Sequence, residues 1–167
     1  MKNKNHEKIW KKVKPIVDSV EATMSLLKLN AMGDDKETYR LVNTERQFIR
    51  GIIFAESEKY VSEKKPTKEG FVIDYEAVVY CYEKMHIRNI KKNKKEDPQI
   101  RTKIHEEAKS WAYLGIHPKI NDIAKKSYKK GIAECMRQFA ILSMDKSLDF
   151  DAPAKQFVKK IFKGIFN

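Results

Sequence analysis

A chain of 167 residues, 41% apolar and 35% charged, is long enough to form one domain that buries its own core without disulfides or structural metals. Six glycines and five prolines are too few for a turn-rich β architecture, and no apolar run is long enough to span a bilayer. The net charge of +12 is unevenly placed: residues 1–14 carry +5, residues 15–83 carry −4 and residues 84–167 carry +11. An AT-rich genome of bacterial or phage type would raise lysine everywhere, so segregation of this kind predicts one basic side instead.

Taken in chain order, apolar spacing is helical nearly throughout. Residues 1–14 read as a basic arm or helix, with Ile9, Trp10 and Val13 on its apolar side. Pro15 is expected to restart the helix as a first-turn residue. Ile16, Val17, Val20, Met24, Leu27 and Ala31 then recur at steps of three and four, until Gly33 ends the run. Asp34 and Asp35 are candidate N-caps of a second helix to about Lys64, with Val42, Ile49, Ile52, Ile53 and Tyr60 inward.

Residues 65–70 read as a turn. From Asp74 to about Ile90 apolar residues occupy nearly every face, which predicts a central, largely buried helix. A strand over 71–82 is the rival, since Val and Tyr favour sheets. The uninterrupted continuation through Glu83-Lys84-Met85-His86 favours helix. Asp97-Pro98 opens the next helix, with Ile100, Ile104, Ala108, Trp111 and Ala112 on one face and Gly115 closing it. Pro118 opens one continuous helix to about Met144, and residues 152–167 form a final amphipathic helix. The fold class is therefore all-α: a single-domain bundle of about six helices over residues 1–167.

Several residue groups have the composition of sites without the spacing. Glu83 and His86 make one Glu-x-x-His pair, whereas di-iron carboxylate bundles use two plus two further glutamates. Arg101 and His105 stand closer together than the Arg…His pair of the helical HEPN ribonucleases, and read as a solvated helical pair. Ile120-Asn121-Asp122-Ile123-Ala124 is similar to the start of a helix-turn-helix motif, but Tyr128 occupies the position of its turn glycine. Cys81 and Cys135 lie on apolar faces, where a thiol behaves as a small hydrophobe, and no spacing suggests a metal knuckle or a disulfide. No catalytic residue, metal or cofactor is expected.

The lysines carry the functional signal. On one continuous helical wheel Lys119, Lys126, Lys130 and Arg137 fall in a narrow sector opposite Ile123, Ala124, Ser127, Gly131, Cys135 and Leu142, which predicts a basic rail four turns long. A loop carrying Lys91, Lys92, Lys94 and Lys95 and the arm from Lys2 to Lys14 add further clusters. Lysine-dominated contacts suit a nucleic-acid backbone and not base edges, which arginine reads. The expectation is a non-enzymatic binding protein, an accessory or regulatory subunit contacting nucleic acid or ribonucleoprotein. The alternatives are docking on an acidic protein surface and peripheral membrane association through the C-terminal helix. A reduced, cytoplasmic setting is expected from the cysteine usage and from the lack of an apolar segment after the N-terminal lysines.

Overall fold

A computed structural model describes residues 4–60, 75–93, 98–112 and 117–148, the backbone alone at 87–93 and 98. Within them lie six α-helices and no strand: α1 (Lys4–Asn30), α2 (Asp35–Ser57), α3 (Tyr75–Asn93), α4 (Pro98–Ala112), α5 (Pro118–Lys130) and α6 (Ile132–Met144). A 3₁₀ turn (Glu58–Tyr60) extends α2. The all-α expectation is met, and helix wins over strand at Tyr75–Tyr82. The turn at 65–70, Gly115 and the helix at 152–167 lie outside the described residues.

α1 runs through Pro15 without a restart, correcting the expected break. A mid-helix proline frees the carbonyl four residues back. Pro15 and Lys11 both face solvent, so water can take that acceptor. The inward stripe is the expected one: Ile9, Trp10, Val13, Ile16, Val17, Val20 and Met24 are buried. Gly33, at φ +88°, closes the corner before α2. Asp34 caps α2, its Oδ1 accepting from the Glu37 N–H at 3.0 Å.

Among the described residues the most enclosed helix is α2. Every residue from Arg40 to Ser57 is buried except Glu45, which is half-buried. In α3, expected to hold that position, the buried residues among Tyr75–His86 are Ala77, Val78, Cys81, Tyr82 and Met85. Glu76 is exposed, and Val79, Tyr80, Glu83 and Lys84 are half-buried. Polar side chains hid the burial of α2 from a reading of apolar spacing.

The chain groups into two compact units, each assembled from two separated stretches: Met1–Lys12 with Ile53–Tyr113, and Val13–Ile52 with Leu114–Asn167. In the first, α3 packs on α4, with the Tyr82 and Trp111 rings 4.8 Å apart and Phe54 edge-on to Tyr75 at 6.1 Å. In the second, α5 packs on α6, and Phe48 of α2 meets Phe139 of α6 at 5.4 Å. Gly51 sets how closely α5 approaches α2: a Cβ there would lie 2.5 Å from the Ala124 Cβ and 3.1 Å from the Asn121 Oδ1.

Candidate nucleic-acid interface

The expected single helix from Pro118 to Met144 is two helices broken at Gly131, whose φ of 107° and ψ of 178° lie in a region reserved for glycine. His117 precedes α5, its N–H donating to Gln47 Oε1 at 3.2 Å, and Pro118 supplies the preset first turn. The Gly131 N–H returns to the Tyr128 carbonyl at 3.2 Å, and α6 begins at the next residue. The two helices form an antiparallel hairpin, because Lys119 near the start of α5 reaches Asp145 just past the end of α6 at 3.0 Å. The four-turn rail across Arg137 is thereby corrected, since Arg137 belongs to the other arm.

What remains is a shorter basic face. α5 carries five lysines against one carboxylate, Asp122, and buries only Ile120, Ala124 and Ser127. Lys119, Lys126 and Lys130 fall within about 40° on the helical wheel and span roughly 16 Å of helix axis. All three are exposed, as is Lys129. Lys129 and Lys130 also sit in the last turn, where the helix dipole favours cations.

Carboxylates answer much of this charge. Lys126 pairs with Asp122 at 3.0 Å and Lys119 with Asp145. Arg137 clamps Glu134 through Nε and Nη2 at 2.9 and 2.8 Å. The Arg137 and Gln138 hydrogen bonds hold the Glu134 carboxyl down at about 2, and those of Ser147, then Lys119, hold Asp145 at about 2. The cationic partners of these pairs are exposed, as is Asp122, whereas Glu134 and Asp145 are half-buried.

The other expected clusters are placed only in part. Lys91 and Lys92 belong to the last turn of α3 and not to a loop, while Lys94 and Lys95 lie outside the described residues. Along α1, Lys4, Lys8, Lys11, Lys12 and Lys14 are exposed, and Lys14 pairs with Asp18 at 3.1 Å.

The half-motifs are engaged elsewhere. Glu83 bonds His105 Nδ1 on α4, and the His86 ring lies 4.4 Å from that of Tyr82. Among the described residues no three His, Cys, Asp or Glu side chains gather as a metal site. Both cysteines are buried and neither forms a disulfide, and burial pushes the Cys135 thiol up.

Two polar features were not legible from spacing. The Tyr80 hydroxyl donates to the Glu7 carboxylate, with Lys84 Nζ 3.7 Å from the same oxygen; burial and Glu7 push the phenol up to about 12. Residues 73 positions apart leave no local signal. On α2, Arg40 donates to the carbonyls of Ser143 and Asp145 at 2.6 and 3.0 Å. Asn43 is fully buried one turn on, and neither of its amide atoms has a hydrogen-bond partner.

No family model, curated protein or solved structure matches the chain. No described helix is long and apolar enough to cross a membrane.

Proposed function

We propose that this protein is a non-catalytic, accessory or regulatory nucleic-acid-binding protein that holds the phosphate backbone through the outer face of α5. The observation that carries the reading is the composition of that one helix: five lysines, one aspartate and an inward edge of three small or aliphatic residues. Lysine is a point charge on a flexible stem, suited to phosphate and poor at the planar, bidentate recognition of base edges. Binding is therefore insensitive to sequence, and each phosphate neutralised releases counterions.

Fluorescence anisotropy with generic duplex DNA or RNA over a salt series tests this. Affinity falls steeply with salt, with a log–log slope of about −0.9 per phosphate contact on a duplex. Lys126→Glu/Lys130→Glu removes most of the affinity and flattens the slope. Arg137→Glu, on the other arm and already committed to Glu134, changes it little. Equal binding by the double variant would refute the α5 interface. No binding at low salt would refute nucleic acid altogether and leave an acidic protein surface as the target of these lysines.

A further inference from the structure

The far end of α1 presents an apolar patch to solvent. Leu26 and Leu29 are 66% and 64% exposed and share one side of the helix, and Met32 in the following turn is 79% exposed. Ala22 and Ser25 continue the same outward side, while Met24 and Ala31 beside them are buried. Its surroundings are acidic on an otherwise basic chain: residues 18–37 hold five carboxylates (Asp18, Glu21, Asp34, Asp35 and Glu37) against Lys28 and Lys36.

The other end of the described chain arrives at the same corner. Arg40, in the second turn of α2, holds the carbonyls of Ser143 and Asp145. Lys146 helps to lower the Glu37 carboxyl after the larger effect of Arg40. Thr38 ties this part of α2 to the corner, its hydroxyl donating to the Ala31 carbonyl at 3.3 Å. Leu148, itself buried, therefore leaves beside the α1–α2 turn. Residues 149–152 reach about 15 Å when extended, enough to deliver the next segment onto the patch.

That segment matches in both apolarity and charge. In helical register Phe157, Val158, Ile161, Phe162 and Ile165 share one side, and Lys155, Lys159, Lys160 and Lys163 flank or oppose it. We infer that residues 153–167 dock in cis as an amphipathic helix across Leu26, Leu29 and Met32. The lysines at its edges lie toward the carboxylates of residues 18–37, their stems along the apolar seam. The segment is then the cover of this surface.

Hydrogen exchange on the full chain, read at residues 157–165, tests this inference. The parent protects these amides by roughly tenfold or more over a free helix, and to the same degree on dilution. Leu26→Glu/Leu29→Glu abolishes the protection, while leaving exchange in α2 and α6 unchanged because both positions face solvent. Free exchange in the parent, or protection that survives the double substitution, would overturn the docking. Protection that falls on dilution would assign the patch to the tail of a second copy. Protection gained only on phosphatidylcholine–phosphatidylserine vesicles would assign the tail to a membrane surface. Either of these outcomes also overturns the proposal in cis.

Discussion

Glu45 interrupts the enclosed stretch of α2, and its environment disfavours charge. Burial pushes its carboxyl up to about 7 against the pull of Lys28 and Arg46, with Glu21 pushing the same way as burial. A raised carboxyl means that the folded state binds more protons than the unfolded chain between about pH 4.3 and 7, so stability declines as pH rises through that window. Glu45→Gln keeps the volume and removes the charge. It stabilises by about 1–3 kcal/mol at pH 8 and by almost nothing at pH 4, as read from urea midpoints at the two values. Equal effects at both would mean that the carboxylate is solvated. Glutamate on a helix is ordinarily a solvent-facing residue, so neither its burial nor its shift was legible before the fold. The same holds for Arg40, Asn43, Gln47 and Arg50, which recur at steps of three and four as a polar stripe and are all buried. Hydropathy assigns such a stripe to water, because it cannot register an acceptor more than a hundred residues away.

Among the elements, the apolar periodicity of α1 was legible almost residue by residue, because a helix with one wet face leaves a clean three-and-four pattern. The break at Gly131 was not, because a wheel run straight across it still places Ser127 and Cys135 on one side. Both residues are indeed buried, each on its own helix. Gly131 has open space around its missing Cβ, so what excludes another residue is its backbone conformation and not packing. Gly131→Ala costs about 1–3 kcal/mol for that conformation, and thermal denaturation should register a drop of roughly 2–4 °C per kcal/mol. Gly51→Ala fails for the opposite reason: an ordinary helical backbone but a Cβ driven onto Ala124. It costs a similar amount, about 1–3 kcal/mol. Because α5 carries the proposed interface, Gly51→Ala also weakens nucleic-acid binding at temperatures where the protein is still folded. Gly131→Val as stable as the parent would mean that α5 and α6 join into the one helix that the lysine spacing suggests.

At the scale of the whole molecule, each compact unit combines an early and a late stretch of chain. Arg40 marks this most sharply. The residue is 9% exposed, and besides Glu37 it bonds two main-chain carbonyls contributed by residues 143 and 145. Arg40→Ala removes charge-assisted bonds from a buried site and leaves both carbonyls to find other donors, costing about 3 kcal/mol or more. A loss below about 1 kcal/mol in urea titration would place those bonds in water. The acceptors of Arg40 lie 103 and 105 positions later in the sequence. During synthesis at about 5–20 residues per second, the guanidinium emerges roughly 5–20 s before the carbonyls that receive it. Throughout that interval Phe48, buried against Phe139 in the finished protein, also lacks its aromatic neighbour. The nascent chain therefore offers α2, with its mixture of apolar and cationic side chains, to whatever binds unfinished proteins until residues 139–145 have emerged to enclose it.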